Sequence, residues 1–216
     1  MQTYLDCFPC FLHQALRAGR VATDDPHKVK QVLDEVGRML GSIPMQSPPP
    51  RTGALIYQKV SQITGNNDPY RELKQESIAQ ALQLYLELKQ RVAGSRDPLL
   101  TAVRVAIAGN VIDFGVNRVF DLEADIADVL EKDFAICDER EFRDALDQTE
   151  EVLYLGDNAG ETVFDRVLIE TMQKKVIYAV RGAPIINDAT YEDALQSGLD
   201  RVATIVSSGS SAPGTL

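Results

Sequence analysis

Residues 153–165 read Leu-Tyr-Leu-Gly-Asp-Asn-Ala-Gly-Glu-Thr-Val-Phe-Asp, and this stretch decides the fold. A short apolar run ends at Gly156, and helical periodicity begins near Ala159. The pattern predicts a buried strand followed by a helix, with Asp157 and Asn158 at the junction. In open α/β sheets, ligands bind where strands end in this way. Because a carboxylate can anchor a cation while free helix amides face an anion, the stretch predicts both halves of a metal–phosphate site.

A second acidic cluster follows the next apolar run. Residues 176–180 are rich in β-branched side chains, and the loop after them ends in Asn187 and Asp188, just before another apparent helix. If the two runs are neighbouring parallel strands, Asp157, Asn158 and Asp188 converge at one sheet edge. Oxygen ligands of this kind suit Mg²⁺ or Mn²⁺. Asp and Asn are also common helix N-caps, so capping is the alternative for either cluster alone, whereas the two clusters together favour a site.

Strands and helices alternate through the C-terminal half of the chain. Strands are predicted at 152–155, 176–180 and 202–206, with a shorter one at 134–136, and helices at 121–132, 139–148, 160–173 and 190–197. Such alternation is typical of parallel βαβ units. Upstream, helices are predicted at 4–20, 26–40, 52–64 and 70–92, with a proline-rich loop over 41–51. The sequence therefore predicts an α/β protein: a helical N-terminal region (residues 1–98) packed on a Rossmann-like, mostly parallel three-layer α/β core (residues 99–216).

Composition limits the class of protein. The chain has 216 residues and a formal net charge of −10, which argues against a general nucleic-acid or anionic-membrane surface. No apolar run approaches the length of a membrane span, and the N-terminus lacks a signal pattern. Three cysteines do not resemble a secreted disulfide framework. We therefore expect a cytoplasmic enzyme or ligand-binding protein without nucleic-acid or membrane partners.

Two further motifs carry polar chemistry. Asn110 and Asp113 lie at i, i+3 in an apolar stretch, where a substrate-pocket role and a structural role are equally consistent with the spacing. Cys7-x-x-Cys10 is followed by His13, close enough on a helix to share a metal or to form a redox pair. A structural zinc site needs four ligands and a thioredoxin-like site needs a preceding strand, so ordinary buried thiols are the alternative.

Carboxylates are the expected proton-transfer groups. Only His13 and His27 are present, so imidazole-based catalysis is not expected at the strand ends. Glu161 and Asp165 lie in the first helical turns after the Asp-Asn pair, where favourable charge at a helix N-terminus is the alternative interpretation. The Ser/Gly-rich segment 207–214 follows the last predicted strand and either cradles a phosphate or forms a flexible end. Since the chain stops soon afterwards, we expect that a terminal segment is missing.

These motifs together resemble the damage-control phosphatase family, a former domain of unknown function that also includes proteins proposed to be carboxyl methyltransferases. The likeness covers most of the chain. It is carried by Gly109-Asn110-x-x-Asp113, by Gly156-Asp157-Asn158-Ala159-Gly160-Glu161, and by Arg181-Gly182-x-Pro184 with Asn187-Asp188-Ala189-Thr190. The pair Cys7-x-x-Cys10 resembles the archaeal and bacterial branch.

The resemblance implies a divalent-metal-dependent phosphatase acting on small phosphorylated metabolites, such as damaged or side-product sugar phosphates, with Mn, Co, Ni or Mg as the metal. The implied metal ligands are Asp157, Asn158 and Asp188. The implied catalytic residues are Asp157, Asp113 and Glu161, and the substrate would contact Asn110, Asp113, Glu161, Arg181 and Asn187. Family members usually continue to a Lys-Gly-x-Gly-Asn segment that contacts phosphate, which this sequence does not contain.

Three functions stay open from the sequence. In the leading hypothesis, a metal supplies most of the electrostatic stabilisation and Asp113 or Glu161 orients the attacking water, while an aspartyl-phosphate route through Asp157 is less favoured. The second is S-adenosylmethionine-dependent methylation of protein carboxyl groups, although the usual glycine-rich cofactor loop is not evident. The third is a non-catalytic metal or metabolite sensor whose C-x-x-C region changes state.

Overall fold

A computed structural model describes residues 2–111 and 132–213, without the side chain of Val111. It divides into two compact units. The helical unit comprises Met1–Glu72, Arg181–Asp188 and Gly209–Leu216, and the sheet unit comprises Leu73–Val180 and Ala189–Ser208. The domain boundary expected at residue 98 stays a prediction.

Three helices that pack on one another form the helical unit: α1 (Cys7–Ala22), α2 (Pro26–Leu40) and α3 (Pro49–Thr64). Asp25 caps α2 by accepting a hydrogen bond from the His27 amide at 2.8 Å, and Pro26 occupies the first turn, where its missing N–H costs no helix bond. The core consists of apolar side chains at helical spacing, namely Phe11, Ala15, Ala18, Val32, Val36, Leu40, Ile56 and Val60.

Two local predictions were wrong. The proline-rich segment was expected to be loop as far as Arg51, but α3 begins at Pro49. Pro48 is the N-cap and the next two prolines lie in the first turn, the one part of a helix that tolerates proline. Residues 134–136 were predicted to be a strand, but they form irregular structure before the helix that starts at Glu139. The helix predicted over 121–132 lies outside the described residues except for Lys132.

The sheet unit alternates helices with a parallel sheet. Its helices are α4 (Arg71–Ala93, from residue 73 onward), α5 (Pro98–Val111), α6 (Glu139–Gln148), α7 (Glu161–Met172) and α8 (Tyr191–Gln196). Its strands are β1 (Glu151–Leu155), β2 (Lys175–Val180) and β3 (Thr204–Ser207), hydrogen-bonded in the order β1-β2-β3 and all parallel. The predicted α/β class with a parallel sheet and a helix-rich N-terminus is confirmed. The Rossmann-like and three-layer descriptions stay predictions.

Close packing of α5 on α7 positions one wall of the candidate site. A methyl group at Gly109 would lie 2.8 Å from the Phe164 side chain, so only glycine lets the two helices approach this closely. The next residue, Asn110, is thereby brought to the start of α7. Both strand neighbours of β2 run parallel to it, with Tyr154 directly opposite Tyr178. None of the described helices combines the length and apolar character needed to cross a bilayer.

Candidate active site

Backbone hydrogen bonds hold the loop after β1, which comprises residues 156–160. The Gly156 amide donates to the carbonyl oxygen of Ala179 at 2.9 Å, and the Asp157 carbonyl oxygen accepts from the Ala189 amide at 2.6 Å. A methyl group at Gly156 would lie 2.5 Å from the Tyr178 ring, so the aromatic side chain packs directly against this backbone. The loop therefore leaves the strand in a defined direction and presents Asp157, which is half-buried.

Glu161 is held by two side-chain amides at the start of a helix. It is the first residue of α7 and only 7% exposed. Its Oε1 accepts from Nδ2 of Asn110 at 2.8 Å and from Nδ2 of Asn158. Two side-chain amides therefore hold this carboxylate in a fixed orientation. Because the Asn158 nitrogen makes this contact, its Oδ1 is not used in the bond to Glu161.

Predicted site residues share one cavity in the sheet unit. A pocket of about 400 Å³ is lined by Asn110, Asp157 and Glu161, together with Asp165. The first three were predicted from motifs separated by more than forty residues of sequence, and the structure brings them together. Asp113, predicted to serve both substrate and catalysis, lies outside the described residues.

Asp165 binds two tyrosines, the half-buried Tyr154 and the buried Tyr178, an arrangement that the sequence analysis missed. Its Oδ1 accepts from the Tyr154 hydroxyl at 2.5 Å and its Oδ2 from the Tyr178 hydroxyl at 2.6 Å. The two rings stack with centroids 5.3 Å apart. Burial raises the pKa of Asp165 to about 7, the two hydroxyl donors oppose this rise, and the nearby carboxylates of Glu161 and Asp157 add to it. The signal in the sequence was two tyrosines at matching positions of adjacent predicted strands.

The pKa values of both tyrosines are raised for a related reason. Burial is the largest cause for Tyr154 and for Tyr178, and the negative charge of Asp165 adds to it. Both hydroxyls consequently stay protonated throughout the physiological range.

The loop after β2, residues 181–188, belongs to the helical unit and holds its carboxylate differently. Nε of Arg181 donates to Oδ2 of Asp188 at 2.6 Å, and the two side chains are only 9% and 6% exposed. Arg181 was predicted to bind substrate, and the structure places its guanidinium on Asp188. Ile186 has φ of 47°, a conformation strained for a β-branched residue, which indicates that the surrounding contacts determine the loop geometry.

Two tyrosines of the helical unit lie near this loop and were also missed. The hydroxyl of Tyr57 hydrogen-bonds to that of Tyr70. Burial raises the pKa of Tyr57, with Tyr70 and the charge of Asp188 as further causes. A pocket of about 290 Å³ is lined by both rings and by Ile186. Aromatic side chains scattered through helices carry no periodic signal, so their convergence was not predictable.

A buried ion pair in the sheet unit fixes the start of α8. Oδ2 of Asp193 accepts from the amide and the hydroxyl of Thr190, at 2.9 and 2.6 Å, and from Nζ of Lys74 at 2.8 Å. Lys74 is 1% exposed. Asp193 thus forms a capping box with Thr190 and stabilises the start of the helix, which explains an acidic residue at this position.

A metal ligand set is compatible with the donor chemistry but stays a prediction. Across residues 2–111 and 132–213, no three His, Cys, Asp or Glu side chains are arranged as a metal cluster. The predicted set contains only two such residues, Asp157 and Asp188, which belong to different units, with the amide oxygen of Asn158 as the third ligand. Carboxylate and amide oxygens fit a hard divalent ion.

The Cys-x-x-Cys pair lies at the start of α1. Cys7 is half-buried, Cys10 is exposed, and both are free thiols. Nδ1 of His13 lies 3.2 Å from the Pro9 carbonyl oxygen, a contact within its own helix. A local metal or redox role for this pair therefore stays a prediction, with ordinary thiols as the alternative.

Comparison with known proteins identifies the family. The sequence profile of the damage-control phosphatase ARMT1-like domain matches residues 3–216. The chain belongs to this family. The family resemblance inferred from the motifs is confirmed.

Individual relatives agree with this assignment. The chain is 31% identical to the damage-control phosphatase PH1575 of Pyrococcus horikoshii, over 97% of this chain and 74% of that protein. It is 34% identical to a damage-control phosphatase of Archaeoglobus fulgidus, over 91% of this chain and 70% of that protein. The uncharacterized protein MJ0202 of Methanocaldococcus jannaschii is 34% identical, over 95% and 70% of the two chains.

A solved structure confirms the fold of the family. The crystal structure of PH1575, a DUF89 family protein, matches with a TM-score of 0.91 at 31% identity, covering 99% of this chain and 76% of that one. Two of these relatives are named damage-control phosphatases, and the family carries the same name. The comparisons therefore support phosphatase activity in general, without specifying a substrate or a metal.

Proposed function

We propose that this chain is a divalent-metal-dependent phosphatase that hydrolyses phosphomonoesters of small metabolites, including damaged or side-product sugar phosphates. The observation that carries the proposal is the placement of Glu161 at the start of a buried helix, bound by the amides of Asn110 and Asn158, in one cavity with Asp157. The names of the two damage-control phosphatases among the relatives support the same reaction.

In this proposal, Asp157, Asn158 and Asp188 hold the metal, which is Mn, Co, Ni or Mg. When bound, the ion supplies positive charge that stabilises the phosphoryl group during hydrolysis.

The other groups of the site have separate roles in this proposal. Glu161 accepts a proton from the water whose oxygen attacks phosphorus, while the phosphorus–ester oxygen bond breaks and the leaving oxygen takes up a proton. Asn110 and Asn158 orient Glu161 for this step. Backbone amides of the first turn of α7 face the phosphoryl oxygens and neutralise their charge. Asp113 and Asn187 complete the contacts to substrate, while Arg181, which the sequence predicted to bind substrate, holds Asp188 instead.

The first prediction tests the reaction with a generic aryl phosphate in the presence of Mn²⁺, Co²⁺ or Ni²⁺. We expect Asp157→Ala to reduce kcat/KM at least about 100-fold, because it removes a ligand of the ion that stabilises the transition state. Asp34→Ala, which removes an exposed carboxylate of α2, is the control and should hydrolyse the ester like wild type. Equal activity of wild type and Asp157→Ala contradicts the mechanism.

Metal analysis of the purified protein tests the ligand set separately. We expect wild type to retain a divalent ion and Asp188→Ala to lose it. Calorimetric binding of S-adenosylmethionine without metal would instead favour the carboxyl methyltransferase hypothesis. Metal binding without turnover of any phosphate ester would favour the sensor hypothesis.

A further inference from the structure

Tyr154, Tyr178 and Asp165 form a buried cluster beneath the loop that carries Asp157. Each hydroxyl donates to a different oxygen of the same carboxylate, at 2.5 and 2.6 Å, so both tyrosines are hydrogen-bonded to Asp165 in the same way. Tyr178 is fully buried and Asp165 is 4% exposed. A polar cluster this deep in the core is costly unless every member is paired, and these distances show that the carboxylate and both hydroxyls are paired.

One of the two tyrosines packs closely against the start of the loop. The three atoms nearest to a methyl group at Gly156 all belong to Tyr178: Cε1 at 2.5 Å, and Cζ and Oη at 2.6 Å. The hydroxyl that bonds to Asp165 is therefore also part of the surface against which Gly156 rests. A rotation or shift of this ring would have to move the backbone that leads into Asp157.

The cluster and the site also share a helix and a cavity. Asp165 lies one turn after Glu161 on α7, and both line the pocket of about 400 Å³ that includes Asp157. The catalytic carboxylate and the anchor of Tyr178 thus project from the same face of one helix. Movement of α7 relative to the sheet would displace Glu161 and the support of the Asp157 loop together.

We propose that Tyr178 and Asp165 are positioning residues of this site: Asp165 fixes the Tyr178 side chain against Gly156, and this contact sets the backbone direction that presents Asp157. The inference rests on the proposed function, because the site that it supports is the phosphatase site. Removing a residue that positions a metal ligand typically lowers metal affinity or activity by about 10- to 100-fold.

The test compares Tyr178→Phe with Tyr154→Phe. Each variant removes one hydroxyl bonded to Asp165 and keeps the ring, but the atoms that lie nearest to a methyl group at Gly156 belong to Tyr178. We expect Tyr178→Phe to weaken Mn²⁺ binding and to lower kcat by about 10- to 100-fold, with KM changed less. Tyr154 also lines the pocket and bonds to Asp165, so we expect Tyr154→Phe to lose some activity as well, but several-fold less than Tyr178→Phe. Calorimetry and aryl-phosphate kinetics measure these effects.

Hydrogen exchange provides a readout that depends on neither metal nor turnover. The Gly156 amide donates to the Ala179 carbonyl, and we expect its exchange to be faster in Tyr178→Phe than in Tyr154→Phe. If wild type neither binds metal nor hydrolyses phosphate, yet this difference in exchange is found, the proposed function fails and the positioning role stands. Equal exchange in the two variants overturns the positioning role, whatever the activity.

A second variant covers the case in which Tyr178→Phe does not fold. Asp165→Asn keeps the shape of the side chain but offers only one acceptor oxygen for two hydroxyls. We expect faster exchange at Gly156 than in Tyr154→Phe here as well. Exchange no faster than in Tyr154→Phe would overturn the proposal.

Discussion

The loops after β1 and β2 end neighbouring parallel strands, yet they stabilise their carboxylates by different means. Glu161, at the helix that follows the β1 loop, accepts hydrogen bonds from two neutral side-chain amides. Asp188, at the end of the β2 loop, binds the guanidinium of Arg181 with both side chains nearly buried. Amide donors orient a carboxylate and leave its charge available, whereas a guanidinium neutralises it.

This difference assigns different chemistry to the two loops. The proton acceptor that we propose, Glu161, must be held in a fixed orientation, and its two amide partners provide this. Asp188, the metal ligand that we propose, is nearly buried, and the guanidinium of Arg181 compensates its charge in the folded protein. The backbones of the two loops also differ. In the first loop, the buried Tyr178 packs on Gly156, whereas the second loop contains Ile186 in a strained conformation with positive φ.

The largest expected effect comes from breaking the ion pair of the second loop. Arg181→Met leaves the Asp188 carboxylate without its guanidinium in a buried position, and we expect a loss of about 3 kcal/mol in the free energy of unfolding. Denaturant titration measures it. Lys30→Met, which breaks the exposed pair with Asp34, is the control and should leave the midpoint nearly unchanged. Similar midpoints for both variants would contradict the contrast between the loops.

A smaller expected effect comes from neutralising Glu161, the carboxylate at the start of the helix that follows the first loop. Glu161→Gln cannot accept the proton from water, and we expect kcat with an aryl phosphate to fall about 100-fold. The control is Glu170→Gln on the same helix, where the carboxylate accepts from the Tyr85 hydroxyl at 2.6 Å and binds Lys89. Its kcat should stay within about twofold of wild type. Equal losses in the two variants would argue against a special role for Glu161.

The smallest expected effect concerns the pH dependence of stability beneath the first loop. Burial raises the pKa of Asp165 to about 7 in the folded protein, above its ordinary value of 3.8, so the folded state binds a proton that the unfolded state releases. This contribution favours folding at low pH and is lost as the pH rises through 7. Between pH 6 and pH 7, we expect wild type to lose about 1 kcal/mol relative to Asp165→Asn.

Denaturant titration of both proteins at several pH values measures this difference. Asp165→Asn carries no titrating group at this position, and all other carboxylates are common to the two proteins. A constant difference in unfolding free energy between pH 5 and pH 8 would show that the two tyrosine hydroxyls hold the pKa of Asp165 near its ordinary value.

Strands and helices with a periodic apolar pattern were predictable from sequence, whereas contacts between residues far apart in the sequence were not. The strands around residues 153 and 177 and the helix after Gly160 follow from short apolar runs and helical spacing, and the structure contains all three. Sequence motifs also identified Asn110 and Glu161, which the structure joins at 2.8 Å. The start of α3 was misplaced because proline breaks helices everywhere except in the first turn, and sequence alone did not show that the first turn was there.

The tyrosines show why other site features could not be predicted. Tyr154 and Tyr178 occupy inward positions of two strands, where an aromatic side chain is ordinary core, and Asp165 lies in a helix turn where acidic residues are favoured anyway. Their common hydrogen bonds depend on the strand register that places the two rings side by side. The partnership of Arg181 with Asp188 was likewise hidden, because the loop between them has no periodicity.

The sequence by itself determined the alternation of strands and helices, the family and the carboxylate and amide groups available for chemistry, since these depend on local propensity and short motifs. Only the tertiary structure decided which groups meet. Amides reach Glu161, a guanidinium reaches Asp188, and Asp165 joins two tyrosines under Gly156. The physical reason is that hydrogen bonds and close packing act over a few ångströms, so charge and pKa depend on neighbours that lie far apart along the chain.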